Sequence, residues 1–201
     1  MKKFVTAMGL IALTLTSCSE QPKEAAWIVD KFDDIKVIRY EVPEFENLPL
    51  NEKLLVYYLA ESAKCGRDIM FDQNFKYNLT IRRALEQIYT SYEGDKSEAN
   101  FVAMEKYLKK MWLANGIHHH YSNDKFQPEF SRAWFEQMIA KYITAEELPI
   151  EATMLCEIIF NPELYAKRLD QTDGVDMVTS SACNYYEGVT MQEVEEFYAA
   201  M

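Results

Sequence analysis

The stretch Phe101-Val102-Ala103-Met104-Glu105-Lys106-Tyr107-Leu108-Lys109-Lys110-Met111-Trp112-Leu113-Ala114-Asn115-Gly116 sets the fold class of this chain. Phe101, Met104, Leu108, Met111 and Trp112 recur at the spacing of one helix face. Ser97 opens the helix, Lys109-Lys110 suits the negative pole of its dipole, and Asn115-Gly116 ends it. Directly beyond lies Ile117-His118-His119-His120-Tyr121, which holds all 3 histidines of the 201-residue chain.

The same period recurs on both sides. Asn51 caps a predicted helix through Lys64 with Leu54, Leu55, Tyr58 and Leu59 at helical spacing, and Gly66 breaks it before another helical turn or two from Arg67 to Phe71. Asn78 opens a helix carrying Ile81, Leu85, Ile88 and Tyr92, closed by Gly94; Asn78-Leu79-Thr80 has the form of a glycosylation sequon, but a helix cap is the sounder reading. Ser131 caps a helix with Trp134, Phe135, Met138 and Ile139, and another spans Glu151 to Phe160. Thr190-Met191-Gln192-Glu193 has the form of a capping box. It starts a helix with Val194, Phe197, Tyr198 and Met201 on one face, too short to be stable without a packing partner. Strands are few. Ile35 to Tyr40 alternates and ends at Val42-Pro43, and Val175 to Tyr186 leans to β at its ends, so strands near the two ends of the mature chain could pair with each other or with strands not present here. The class is mostly α (α+β).

The N-terminus reads as a targeting segment. Lys2 and Lys3 precede an apolar stretch from Phe4 to Leu15, too short for a membrane span, so residues 1–17 form a signal peptide. Leu15-Thr16-Ser17-Cys18 resembles the bacterial lipobox, with Cys18 as the lipid attachment site; an ordinary secretory signal with a chance cysteine is the alternative. Residues 18–26 form the lipid-anchored tether and 27–201 the folded part. The expected location is the bacterial cell envelope, on the periplasmic side or at the outer membrane. A net charge of -11 argues against nucleic acid as a partner, because phosphate contacts need clustered Lys and Arg. Cys65, Cys156 and Cys183 show no Cys-x-x-Cys spacing, which excludes zinc-ribbon and redox readings and leaves them as small buried hydrophobes.

Three consecutive histidines invite a metal reading. On a helix, ligands converge at i, i+4; on a strand, only His118 and His120 share a face. There is no His-Glu-x-x-His, no second histidine cluster and no thiolate pair, so no metal ligand is assigned. A loop after a helix is instead a place where side chains line a cleft, the alternative being that one or two of the imidazoles hydrogen-bond backbone in a turn. Asn184-Tyr185-Tyr186-Glu187-Gly188-Val189-Thr190 sets two aromatics beside an amide, a combination able to hydrogen-bond an extended peptide or, equally, a turn that packs one tyrosine into the core. Ser180-Ser181 lacks the glycines of a nucleophile elbow, and no glycine-rich phosphate loop exists.

Tyr57-Tyr58-Leu59 leading to Gly66-Arg67-Asp68-Ile69, then Asn115 to Tyr121 with Lys125-Phe126-Gln127-Pro128, and finally Asn184 to Thr190, together resemble the N-terminal part of bacterial dipeptidyl peptidase III of the Bacteroides type. The resemblance runs in order from about Phe32 to Met201. It implies part of the lower lobe of a two-lobed zinc exopeptidase that releases dipeptides from the N-terminus of short peptides. In that family the zinc ligands lie downstream, in a His-Glu-x-x-Gly-His helix and a later glutamate. The resemblance therefore implies zinc in the full-length enzyme, none bound by this chain, no catalytic residue here, and an inactive fragment whose partner is the missing C-terminal part. Short peptides are the expected ligands. Tyr121 is carried over as the best peptide contact and His120 as a weaker one; His119, His118 and Asn115 enter by adjacency, and Tyr185 through the aromatic pair. The alternatives are a non-catalytic peptide-binding lipoprotein and a helical envelope interaction module.

Overall fold

A computed structural model describes residues 27–201; the expected signal peptide, the tether and Cys18 lie outside the described residues. The chain divides into two compact units, one ending at Glu41 and the other running from Val42 to Met201. The first holds an antiparallel hairpin of β1 (Ile28–Phe32) and β2 (Ile35–Ile38), with Phe32 opposite Ile35 and Ile28 opposite Ile38. Asp33, in the left-handed region at φ 53°, makes the turn. β2 falls where alternation predicts. β1 escapes a hydrophobic-alternation reading because Asp30 sits on the same half-buried face as Ile28 and Phe32. The anticipated pairing of strands from the two ends is therefore replaced by a local hairpin.

The second unit is helical: α1 (Leu50–Cys65), α2 (Arg67–Asn74), α3 (Asn78–Ser91), α4 (Ala99–Ala114), α5 (Arg132–Tyr142), α6 (Ala152–Phe160), α7 (Met177–Ser180) and α8 (Met191–Ala199). The class is α+β, mostly helical, as the periodicity predicts. α3 packs on α2, α4 and α5, and α5 packs on α6. Ile81, Leu85 and Ile88 of α3 meet Phe101, Met104, Leu108 and Met111 of α4 in a core extended by Phe135, Leu155 and Ile159. These are the residues that the 3.6-residue period places inward.

Several boundaries differ from the sequence expectation, each for a local reason. α1 enters through Pro49 in an extended conformation rather than through Asn51. Ser97 does not cap α4, because its N–H and hydroxyl both donate to Asp95 Oδ1, at 2.8 and 2.7 Å; Glu98 takes the cap position. α3 stops at Ser91, before Gly94. The Val175 to Tyr186 run forms no strand: the Asp176 carboxylate accepts from the N–H groups of Val178 and Thr179 and folds the middle into α7. The Ser131 cap and the Thr190/Glu193 capping box form as predicted.

Two apolar surfaces remain uncovered. Leu54, Leu55, Val56, Tyr57, Tyr58 and Leu59 follow one another in α1 and all are exposed, and no residue of that helix is buried. A helix apolar on most of its sides normally lies inside a core. Phe197, Tyr198 and Met201, at the C-terminal end, are exposed as well. Among the described residues no helix is long and apolar enough to cross a membrane. All three described cysteines are free: Cys156 is buried and its thiol is pushed up to about 11 by that burial, while Cys65, expected inside, is exposed on the last turn of α1.

The corner between α2 and α3 is locked to the end of α4 by two asparagines. Asn78 is not a cap: Tyr77 occupies that position, and the Asn78 amide turns into the core. Its Nδ2 donates to the Phe71 carbonyl at 3.0 Å and its Oδ1 accepts from the Ile117 N–H at 3.1 Å. Asn74 Nδ2 donates to the Asn115 carbonyl at 3.0 Å. Asn115 is left-handed at φ 54° and Gly116 stands at φ 154°. A Cβ on Gly116 would sit 2.3 Å from Asn78 Nδ2. Asn78→Ala leaves the buried Ile117 N–H without its acceptor and takes one of two donors from the Phe71 carbonyl, which keeps the Phe75 N–H at 3.3 Å, and the expected loss in urea unfolding is about 1–3 kcal/mol. Gly116→Ala is expected to lose a comparable amount through contact and backbone strain together. A change under about 0.5 kcal/mol in both variants, the size of an ordinary surface substitution, would show that the clamp carries no stability.

Candidate functional site

From Ile117 the chain runs out, turns, and returns. Phe126 N–H donates to the Ile117 carbonyl at 2.8 Å, and His119 N–H donates to the Asp124 carbonyl at 2.8 Å. Asn123, left-handed at φ 64°, closes the turn with its N–H on the His119 carbonyl at 3.0 Å. The returning limb pairs in turn with residues 166–168: Lys125 N–H reaches the Ala166 carbonyl at 3.0 Å, and Arg168 N–H reaches the Asn123 carbonyl at 2.8 Å.

This turn separates the three histidines. Strand geometry would put His118 and His120 on one face, but the direction changes after His119. His118 is buried, with 2% of its surface exposed, and its Nε2 lies 2.8 Å from the Tyr165 carbonyl. Its Nδ1 is buried without a partner among the described residues. Burial is the main cause that pulls the imidazole down to about 4, with the Lys125 and Arg168 cations acting in the same direction and Asp124 opposing them. His119 is half-buried; its Nδ1 accepts from the N–H groups of Tyr121 and Ser122, both at 3.2 Å. His120 is exposed and stacks on His119 with centroids 4.7 Å apart, and Tyr121 follows at 4.2 Å from His120. Tyr121 is 83% exposed. The tip is thus a ladder of three rings with its outer faces in solvent.

Buried Asn74 and Lys125 and half-buried Arg168 hold this tip from below. Arg168 donates through Nε to Asn123 Oδ1 at 3.0 Å and through Nη1 to Asn74 Oδ1 at 3.1 Å, so Asn74 joins the α4 terminus and the loop. Lys125, only 6% exposed, donates to the carbonyls of Ile158 at 3.0 Å, Leu164 at 2.5 Å and Asn161. It thereby closes the C-terminal end of α6, where a cation suits the dipole. Burial lowers its ammonium to about 8, which leaves it mostly charged at neutral pH. Outside, Lys167 Nζ meets Asp124 Oδ1 at 2.5 Å, and that bond is the first cause holding the Asp124 carboxyl below its usual range.

The structure therefore brings His119, His120 and Tyr121 together. Asn115 serves as the left-handed end of α4, offering its carbonyl to Asn74. Tyr185 is 62% exposed, and no hydrogen bond or ring contact among the described residues joins it to the loop; its neighbour Tyr186 instead lines a separate cleft. Arg168, Asn74 and Lys125 escape sequence reasoning. Asn74 and Arg168 stand 94 positions apart, and no local pattern announces such a bond. The donors do not fit a resident zinc. His118 is buried with Nε2 on a carbonyl, His119 spends Nδ1 on backbone, and among the described residues no group of 3 metal-ligating side chains converges.

Stability is expected to fall with acid through His118. Its folded value is depressed below the unfolded value of 6.5, so the unfolded chain binds the proton first. The contribution is whole above pH 6.5 and is lost as pH falls from 6.5 towards 4, by about 3 kcal/mol at most. Urea midpoints across that window measure it, and His118→Gln should flatten the slope. An unchanged slope in that variant would assign the acid sensitivity to carboxylates instead. Compared with models of protein families and with curated proteins, the chain matches none of either.

Proposed function

We propose that this chain forms part of the lower lobe of a lipid-anchored, zinc-dependent exopeptidase resembling dipeptidyl peptidase III, and that the loop from Asn115 to Tyr121 is a wall of its peptide cleft. The observation that carries the reading is the contrast within that loop. Asn74, Asn78, Lys125 and Arg168 fix its backbone from inside, while Tyr121 stands almost free in solvent. An aromatic held out on a preorganised backbone binds a peptide without first losing conformational freedom. His120 and His119 extend the same surface. The uncovered faces of α1 and α8 support a further body of protein packing on this one, and the remaining part of the same enzyme is the partner we assign to them.

In the intact enzyme, zinc would supply the Lewis acid that activates water. Its ligands would come from outside this chain, as the resemblance implies; among the described residues no group of three metal-ligating side chains converges. Peptide positioning is the task of these residues, and by themselves they provide no hydrolysis. A second reading, a non-catalytic peptide-binding lipoprotein of the envelope, draws on the same loop. Coding sequence beyond codon 201 separates the two: a continuing frame with a His-Glu-x-x-Gly-His helix supports the enzyme.

Titration with a tetrapeptide, read by tyrosine and tryptophan fluorescence, tests the wall. Tyr121→Ala should weaken binding about tenfold, close to 1.4 kcal/mol, with an unchanged melting temperature. Equal affinity in the variant removes Tyr121 from the site. Zinc-dependent dipeptide release by the purified chain alone would overturn the assignment of catalysis elsewhere. For the anchor, metabolic labelling with a fatty-acid analogue should tag the protein, and Cys18→Ser should abolish the tag; persistent labelling would refute the lipobox.

A further inference from the structure

A second concavity, away from the ring ladder, has the makings of a ligand site. It is a cleft of about 320 Å³ between the α2–α3 corner, contributed by Phe75 and Lys76, and the segment from Val178 to Thr190, with Tyr165 also in its wall. That volume lies at the small end of the range that holds compact ligands. Its walls are fixed from behind. Asn184 N–H donates to the Gln73 carbonyl at 2.8 Å, and Ala182 and Cys183 donate to the carbonyls of Lys167 and Arg168, both at 3.0 Å. The neighbouring phenol of Tyr198 in α8 holds the Tyr186 phenol above its usual range. Tyr165 holds a left-handed backbone at φ 53°, costly for a bulky residue, while its carbonyl meets His118.

The rest of the wall is open for binding. The N–H groups of Glu187, Gly188 and Val189 have no acceptor among the described residues. Gly188, at φ 72°, would place a Cβ in empty space, so nothing crowds the backbone there. Two opposite charges line the cleft and currently face each other, Lys76 Nζ lying 3.2 Å from Glu187 Oε1. Both are well exposed, so their mutual bond contributes little and opens readily.

That pairing selects the ligand. An anion alone would meet Lys76 but leave Glu187 beside it, and a cation alone would do the reverse. A neutral molecule gains nothing from either. A small zwitterion satisfies both charges, its carboxylate on Lys76 and the free N–H groups of Gly188 and Val189, its ammonium on Glu187. Phe75 and Tyr165 supply the apolar floor for a side chain. We propose that this cleft binds a free amino acid or dipeptide, recognised by its two charged termini. The site stands independently of the peptide wall at Tyr121.

Calorimetric titration of the full chain with Ala-Ala, set against N-acetyl-Ala-Ala-amide, tests it. Ala-Ala should bind saturably and the doubly blocked peptide at least about tenfold more weakly. Lys76→Met and Glu187→Gln should each weaken Ala-Ala about tenfold, while Tyr121→Ala leaves it unchanged. Both substituted side chains are exposed, and an unchanged melting temperature certifies the fold of each variant. Equal binding of blocked and free peptide overturns the proposal, as does no saturable binding of Ala-Ala at millimolar concentration. Loss of Ala-Ala binding in Tyr121→Ala would also overturn it, by placing the ligand on the ring ladder. Loss of tetrapeptide binding alone in that variant leaves this cleft intact and concerns only the wall.

Discussion

The amides of Asn74 and Asn78 join the α2–α3 corner to the last turn of α4 and the loop that follows. Inside a low-dielectric core each of these bonds is stronger than in water, and each unmade bond is correspondingly costly. The exit direction of the chain from α4 is therefore set by side-chain amides together with the burial of Ile117. Everything beyond Asn115 inherits that direction, including the burial of His118, the turn at Asn123 and the outward stance of Tyr121.

A second support comes from charge. Lys125 and Arg168 bring two cations under a loop whose surface carries exposed rings. Lys125 ties the returning limb to the end of α6, and Arg168 ties the turn to α2 through Asn74. Helices distant in sequence thus converge beneath one short segment. A loop with this many interior bonds does not behave as a surface connection, and the exposure of its tip is a property of the fold rather than of slack chain.

The helical frame was legible because its information is local. The period of Ile81, Leu85 and Ile88, the Ser131 cap and the Thr190/Glu193 box each lie within one or two turns of chain. What escaped depends on distant partners. An asparagine before a helix looks the same whether it caps the first turn or points inward, and only the position of Ile117, 39 residues on, shows that Asn78 does the latter. Asp176 likewise turned a β-leaning run into a short helix by offering one carboxylate to two backbone N–H groups. The distinction between His118 and its two neighbours was not legible in the sequence, since it needs the turn after His119 and the carbonyl of Tyr165.

The near-contact of Gly116 with the Asn78 amide, 2.3 Å from where a methyl would stand, bears on how such a sequence can drift. Each position constrains the other: a larger residue at 116 strikes the amide, and a shorter one at 78 strands the Ile117 N–H. A paired replacement that vacates the amide while re-satisfying Ile117 reaches a new solution. The two sites are bound into one heritable unit, and descendants of this chain should alter both together or neither.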